Sequence, residues 1–216
     1  MEDKVTDILY NTLKSSIKND AMLHALEEQL LQFIHTYTVD VEQLLMLKVA
    51  ILKEESFEVM YGLGETLIQY EQSELTLRDV EVPLQREQGL RWISMLIDIF
   101  IDYFPIGTVI KMPDEIIDTY ELPHDTLLMI MQRLRPIPDT DYYAPYIATI
   151  YPENFTVSSE LFLLNDIMIE QVVHRGYENE QDRLKVAELK AHCIQELGLK
   201  SFDTIPRIER MMTNGN

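Results

Sequence analysis

The side chains best suited to metal binding or nucleophilic catalysis in this chain are its five histidines and its single cysteine. A helix-borne metal site needs two ligands one turn apart, and no two of these histidines have that spacing. Glu121 and His124 have the Glu-x-x-His spacing, but Pro123 lies between them and no second copy completes a two-metal site. We therefore expect no metal site. The histidines are His24, His35, His124, His174 and His192.

Nucleophilic and cofactor chemistry has equally little support in the sequence. Cys193 lies in AHCIQELG, which resembles no nucleophile turn, and a cysteine in mid-helix is usually a small buried hydrophobic residue. The seven glycines are scattered and form no phosphate-binding cluster. Carboxylate pairs such as Asp139 with Asp141, or Asp114 with Glu115, are expected in the solvated loops of so acidic a chain. The sequence predicts that this protein is not an enzyme and binds no cofactor.

Tyrosines are concentrated in one short segment of the second half. Tyr142, Tyr143 and Tyr146, followed by Tyr151, lie in a predicted loop and strand. Tyrosine is favoured at protein interfaces because it offers a large contact area with a polar end. We take Tyr142, Tyr143 and Tyr146 as candidate partner-binding residues, while packing in the core would account for the same pattern.

The charge of the chain limits its partners. The 37 acidic residues outnumber the 18 basic ones, giving a formal net charge of -19 at pH 7. A field of this sign repels phosphate backbones and anionic lipids, so we expect no nucleic-acid partner. It attracts basic proteins, although solubility alone would explain it. The most apolar window, residues 92–101, is interrupted by Asp98 and is shorter than the roughly 20 apolar residues that span a bilayer, so no membrane insertion is expected.

The cysteine content and the N-terminal sequence bear on the compartment. One cysteine excludes an internal disulfide and fits a reducing environment. The opening MEDKVTDILY contains neither a basic leader nor an apolar run. We therefore expect a cytoplasmic protein.

The first half of the chain has apolar residues spaced three and four apart, which is the period of an amphipathic helix. The predicted helices cover residues 2–18, 21–37, 41–53, 57–68 and 84–104. Asp40 is expected to cap the third helix. The fourth contains Gly62 and Gly64, which together cost it roughly 2 kcal/mol of helix propensity. Alternating apolar residues over 73–83 favour a strand or an extended connector.

After Pro105 the sequence changes to short, β-branched and apolar runs that are typical of strands. Strands are predicted from IGTVIKM, TLLMIMQRL, PYIATIYP and ELFLLND, with residues 167–174 as a further strand or short helix. The loop over 113–125 is expected to hold at most one helical turn. A helix over 183–197 should end at Gly198, and the tail after Ser201 is predicted to be mobile.

These patterns predict an α+β fold with an N-terminal bundle of four to five helices, followed by a small antiparallel β-sheet module with a C-terminal helix. The expected domain organisation is a helical region over residues 1–103, a small β-rich domain with a closing helix over 104–200, and the tail over 201–216.

Three motifs in the second half, PIGTV, YPE and LLNDI…VVHRGYENEQD, occur in an order that resembles a known family. Over residues 103–192 the chain resembles the domain-of-unknown-function family numbered 4176, found in Gram-positive bacteria in type VII secretion gene clusters beside polymorphic LXG toxins. The chain departs from the pattern at Asn154, where a glycine is expected, at LLND, where an Asn-His-rich segment is expected, and in an enlarged loop over 112–125. The family-pattern positions, to which the resemblance assigns turn and strand geometry, are Pro105, Ile106, Gly107, Tyr151, Pro152, Gly176 and Tyr177.

The resemblance implies a function in toxin export. It implies a cytoplasmic chaperone or targeting factor that binds a cognate LXG toxin before secretion. The alternative is an immunity protein that neutralises a polymorphic toxin by direct binding, for which strong acidity is a common device. We expect the helical first half to supply partner specificity.

Overall fold

The computed structural model describes residues 2–38, 40–62, 64–152 and 160–201. The chain divides into two compact units. Of the described residues, 9–101 form the first unit, and 2–8 with 102–201 form the second. The predicted boundary between the helical region and the β-rich domain lies between residues 103 and 104. No sequence pattern indicated that residues 2–8 group with the second unit. The predicted mobile tail after Ser201 and the ENFTVSS segment, residues 153–159, lie outside the described residues.

The helices found before residue 102, in the described part of the chain, follow the predicted apolar stripes. Leu13, Ile17 and Leu30 each have a relative exposure of 0%. Asp40 caps the third helix as predicted, its carboxylate accepting a hydrogen bond of 3.0 Å from the Glu42 backbone N–H. The elements are α1 (Glu2–Asn19), a 3-10 turn (His24–Leu26), α2 (Glu27–Thr36), α3 (Val41–Lys53) and α4 (Arg86–Phe100).

The helix predicted over residues 57–68 is wrong, because this segment forms a β-hairpin. Strands β1 (Phe57–Tyr61) and β2 (Glu65–Glu71) pair antiparallel. The turn between them contains Gly62 with φ 57° and Gly64 with φ 102°, values that glycine reaches without the steric cost of a side chain. The two glycines that weaken a helix are therefore what allows the hairpin.

Two further strands complete the sheet of the first unit. β3 (Glu74–Leu77), predicted from the alternation over 73–83, and β4 (Leu84–Gln85) extend the antiparallel order to β1-β2-β3-β4. Gln72 and Ser73 link β2 to β3 with φ 51° and 67°, the positive pair of a tight hairpin turn. Helix α4 packs closely on this sheet, since a Cβ added at Gly89 would lie 2.9 Å from the Leu75 Cβ.

The second unit is built on an antiparallel sheet, as the strand-like runs after Pro105 predicted. Within the described residues its strands are ordered β10-β7-β6-β5-β9, with β8 paired to β7, and only β10 runs parallel to its neighbour. The strands are β5 (Val109–Lys111), β6 (Leu127–Pro136), β7 (Tyr142–Tyr151), β8 (Phe162–Leu164), β9 (Gln171–His174) and β10 (Lys200–Ser201). The α+β fold class is thus confirmed, although this sheet has six described strands where the sequence suggested four or five.

Short helical elements fill the connections of the second unit. Helix α5 (Asp114–Thr119) is the single helical turn expected in the loop over 113–125, and a 3-10 turn (Asp166–Met168) precedes β9. The closing helix α6 (Glu180–Ala191) begins three residues earlier than predicted and continues as a π-turn (His192–Glu196). Arg133 of β6 binds Asp182 of α6 through two hydrogen bonds of 3.0 and 2.5 Å. No helix among the described residues is long and apolar enough to cross a bilayer.

Candidate functional site

The PIGT segment forms a tight turn at the start of β5. The Thr108 backbone N–H donates to the Pro105 carbonyl at 3.1 Å, and the Thr108 hydroxyl donates to the same oxygen at 2.7 Å. Gly107 has φ 85°, the conformation that the third residue of a type II turn requires and that glycine supplies. The Gly107 N–H also donates to the Ile130 carbonyl at 2.8 Å, which joins the turn to β6.

Gly176, from a motif far along the chain, packs directly on this turn. Its N–H donates to the Thr108 hydroxyl at 3.0 Å. A Cβ at this position would lie only 2.3 Å from the Ile106 carbonyl oxygen, so any side chain would collide with the backbone. The PIGT and RGY segments therefore form one local structure, in which Thr108 binds both segments. We call it the motif turn: Pro105–Thr108 with Gly176.

Two large side chains, one in the motif turn and one directly after Gly176, are exposed to solvent. Ile106 has a relative exposure of 52% and Tyr177 of 82%, two residues that would normally be buried. The Arg175 guanidinium lies 5.6 Å from the centre of the Phe104 ring, a cation–π distance. Exposed aromatic, aliphatic and arginine side chains close to one rigid turn are the residue types that protein interfaces use.

The third family motif lies elsewhere on the sheet. Tyr151 is the last residue of β7 and is opposite Leu127, which in turn is opposite Lys111, the end of β5 away from the motif turn. The Tyr151–Pro152 peptide bond is cis. These positions form the end of a strand rather than part of the motif turn.

Two of the three tyrosines predicted to bind a partner are core residues. Tyr143 and Tyr146 have a relative exposure of 0%, so neither offers a surface in this fold, and that prediction is wrong for both. Tyr142 is 43% exposed, and its role in binding stays a prediction. β7 is buried without interruption over residues 143–149, so residues facing either side of the strand lie in the core, and only its ends reach solvent.

The hydroxyl groups of these buried tyrosines have polar partners inside the protein, which offsets the cost of removing them from water. The Tyr146 hydroxyl donates to Asp166 at 2.7 Å and accepts from the Phe104 backbone N–H at 3.2 Å. Burial, together with the nearby charge of Asp166, raises the pKa of Tyr146 well above its ordinary value, so the phenol stays neutral. The Tyr143 hydroxyl lies 3.3 Å from the Tyr103 hydroxyl. The hydrogen bond from Phe104 to Tyr146 thus ties the residue that precedes the motif turn to the core of the second unit.

The cysteine and the histidine with Glu-x-x-His spacing were expected from the sequence to have no role in catalysis or metal binding. Cys193 is 1% exposed, and burial raises the pKa of its thiol to about 11, so it is no thiolate nucleophile at neutral pH. His124 is exposed and lies 3.4 Å from Asp114 and 3.5 Å from Asp118. Among the described residues, no three or more His, Cys, Asp or Glu side chains are grouped so that they could hold a metal ion.

A buried charge in the first unit was not recognised from the sequence. Lys48 of α3 is 2% exposed, and its burial lowers the pKa to about 8, partly opposed by the charge of Asp98 on α4. Both residues interrupt otherwise apolar patterns, Lys48 on a helix face and Asp98 in WISMLIDIFI. Two opposite charges, each in a predicted core helix, are the signal that could have identified the pair.

A surface cleft of about 700 Å³ in the first unit is lined in part by Met22, Gln85 and Arg86. The Arg86 guanidinium is directed to the backbone carbonyls of Ile51 and Leu52, at 3.2 and 3.3 Å. Its positive charge therefore serves the C-terminal end of α3 rather than a ligand in the cleft.

The fold and the motif turn define the second unit as an α+β module, built on a largely antiparallel sheet, with exposed residues of the types that interfaces use. Residues 103–184 match the family described as "Domain of unknown function (DUF4176)". This match confirms the resemblance drawn from the PIGTV and RGY motifs. No curated protein and no solved structure matches the chain.

Proposed function

We propose that this protein is a non-enzymatic binding factor, a cytoplasmic chaperone or targeting factor that engages a cognate LXG toxin for type VII secretion. The observation that carries the proposal is the motif turn, where two of the family motifs meet and present Ile106 and Tyr177 to solvent. The link to toxin export comes from the resemblance drawn from the sequence motifs, while the family matched over residues 103–184 is itself described as one of unknown function.

The chemistry of the motif turn supports binding rather than catalysis. Its one hydroxyl, that of Thr108, already donates to the Pro105 carbonyl and accepts from the Gly176 N–H. Ile106, Tyr177 and Arg175 offer contact area and a charge without a nucleophile or a general base. Rigid presentation reduces the entropy that exposed side chains lose on binding.

Co-purification with the toxin encoded next to this gene tests the proposal. The toxin should be divided into its N-terminal export region and its C-terminal effector region. We expect the protein to bind without inhibiting the effector, and deletion of the gene to abolish secretion of that toxin. Unchanged secretion, or no association with either region, would contradict the proposal.

The binding surface itself is tested by a double variant, Ile106→Ser with Tyr177→Ser. Removing two exposed anchor side chains from an interface should weaken toxin binding by about tenfold or more. Leu197→Ser is the matched control, because Leu197 is an exposed apolar residue of the same unit that belongs to neither segment of the motif turn. If both variants lose the same affinity, the motif turn is not the binding site.

A second candidate function, an immunity protein, is favoured by the net charge of -19. A strongly acidic surface is complementary to a basic nuclease or membrane-active domain and speeds the encounter with it. This candidate predicts binding to the effector region with inhibition, and protection of a susceptible cell by this protein alone. Protection without any effect on secretion would select it over the export factor.

A further inference from the structure

The sheet of the first unit ends in a strand whose outer edge has no partner strand among the described residues. β1 is the terminal strand in the order β1-β2-β3-β4, and β2 is its one described neighbour. An edge strand presents backbone N–H and C=O groups to which an extended segment of another chain can pair.

The β1 edge also carries two exposed apolar residues. Met60 is 46% exposed and Tyr61 is 41% exposed. Methionine adapts its shape to different contacts, and tyrosine is a preferred interface anchor. The edge therefore combines a backbone template with side chains that can stabilise whatever pairs with it.

Tyr61 is held in place by aromatic contacts that lead to the core. Its ring meets that of Tyr37 edge-on, with centroids 5.4 Å apart, and Tyr37 lies 5.3 Å from Phe33, which is 2% exposed. The Tyr37 hydroxyl donates to Asp79. Because this row fixes the ring before any partner arrives, less entropy is lost when a partner contacts it.

The chain around the edge is predominantly acidic. Residues 54–77 contain six glutamates and no lysine or arginine. Arg78 binds Glu65 at 2.6 Å and Arg86 approaches Glu54 at 3.7 Å, whereas Glu55 and Glu58 form no ion pair with any described residue. The six are Glu54, Glu55, Glu58, Glu65, Glu71 and Glu74.

This charge decides which occupant the edge can accept. Natural edge strands use charged residues to repel unwanted pairing, and glutamate repels acidic strands but attracts basic ones. A second copy of this chain would bring the same glutamates and another net charge of -19, so self-pairing is opposed. A segment rich in lysine or arginine meets complementary charge on the same surface.

We infer that β1 accepts an extended basic segment of a partner protein as an additional strand of the sheet. The register with β2 shifts between Val59 and Met60, but Glu58 and Met60 are both exposed on either side of the buried Val59, so they lie on one face. This face selects a strand that places a basic residue opposite Glu58 and an apolar residue opposite Met60. The inference relies on the proposed function only in taking the partner to be a protein, and it adds a contact on the first unit to the one proposed at the motif turn.

A peptide with restricted pairing tests the edge directly. The probe is a labelled strand of about seven residues in which every second residue is alternately lysine and valine, with threonine between them, so that one face carries both basic and apolar side chains. It is N-methylated along one edge so that it cannot stack with itself. The control peptide has the same sequence and charge but is N-methylated along both edges, so it cannot form a backbone ladder. We expect the first peptide to bind at least about tenfold more tightly than the control. We also expect it to protect the backbone amides of β1 from hydrogen exchange.

Charge variants test the contribution of Glu58 to peptide binding. Glu58→Lys should weaken binding of the singly methylated peptide by about tenfold, because it replaces attraction with repulsion at the centre of the edge. Glu28→Lys is the matched control, since Glu28 is an exposed glutamate of α2 in the same unit, and it should change affinity by less than about twofold. Thermal unfolding of both variants checks that each retains the fold.

Other results would overturn the inference. Equal affinity for the two peptides would show attraction without strand pairing, and protection of amides away from β1 would place the peptide elsewhere. Dimerisation of the protein blocked by Glu58→Lys would make a second copy the occupant. Each of these results would contradict strand pairing at β1 without contradicting toxin binding at the motif turn. Conversely, if toxin secretion did not depend on this protein but the peptide still bound to β1, only the proposed export function would be contradicted.

Discussion

Gly176 and Gly107 show how single residues determine the geometry of the motif turn, each for a different reason. Gly107 needs its positive φ of 85°, with open space around its Cα. Gly176 has an ordinary backbone conformation but lies against the Ile106 carbonyl, where no Cβ fits. The first constraint is local to the backbone, whereas the second comes from Ile106, which is 70 residues away in the chain but in contact with Gly176 in the fold.

Alanine substitution should separate these two constraints. Gly176→Ala places a Cβ 2.3 Å from a backbone oxygen and is expected to lower the free energy of unfolding by about 1–3 kcal/mol, as overpacking does. Gly107→Ala introduces backbone strain alone and should cost about 1 kcal/mol. Urea denaturation measures both. A neutral Gly176→Ala would show that the two motif segments are not held together as described.

Lys48 makes stability depend on pH in alkaline solution. Its pKa is lowered from 10.5 to about 8, chiefly by burial. Between these pH values the unfolded chain binds a proton that the folded chain has released, so the free energy of unfolding should rise with pH, by about 3 kcal/mol in total. Urea denaturation from about pH 7 to about pH 10.5 measures the rise.

The control for this prediction replaces the whole pair, Lys48→Met with Asp98→Leu, because removing one partner would leave a buried charge unpaired. This double variant should lack the Lys48 contribution while keeping the titration of all other groups. Parallel stability curves for the two proteins would show that Lys48 keeps its ordinary pKa in the folded state.

Strand and helix elements of this chain differ in how far local sequence determines them. The apolar positions of residues 57–68 fit a helix, yet the segment is a hairpin, because Gly62 and Gly64 form its turn and the strands gain partners in β3 and α3. Helix α3, by contrast, begins at the cap that Asp40 provides and follows its predicted stripe. Local caps and turns are visible in sequence, while the partners that favour a strand are not.

The link between β6 and α6 should be the stronger of two ion pairs on the same helix. The Arg133 side chain is 5% exposed and binds Asp182 in a bidentate manner, so Asp182→Asn should cost about 2 kcal/mol or more, allowing for the partial exposure of Asp182. Lys185→Gln breaks the exposed pair with Glu188 and should cost less than about 0.5 kcal/mol. Equal losses in chemical denaturation would mean that Arg133 is as well solvated as Lys185.

The whole molecule carries an acidic field that acts on any partner before contact. With a net charge of -19, the association rate with a basic toxin region should fall steeply as salt is added, since screening shortens the reach of the field to about 10 Å at 0.1 M. Stopped-flow measurements between about 0.05 M and about 0.5 M salt should show a decrease of about tenfold or more, with a smaller change in dissociation rate. A salt-independent association rate would remove charge as a basis for partner choice.

The two compact units suggest how recognition is divided across the molecule. The family match covers residues 103–184 of the second unit, whereas the β1 edge belongs to the first. Exchanging residues 9–101 between two such proteins should exchange toxin choice, measured by co-purification with each toxin. Retained choice would place specificity in the second unit.

Sequence alone determined the features that depend on neighbours in the chain. These are the helix stripes, the cap at Asp40, the strand character after Pro105, the family motifs and the acidity. Tertiary structure decided what depends on distant partners: that residues 57–68 form strands, that Tyr143 and Tyr146 are buried, that Lys48 is buried near Asp98, and that Gly176 meets the Pro105–Thr108 turn. The physical reason is that burial and strand pairing are set by segments far apart in the chain, and their energies are absent from any local pattern.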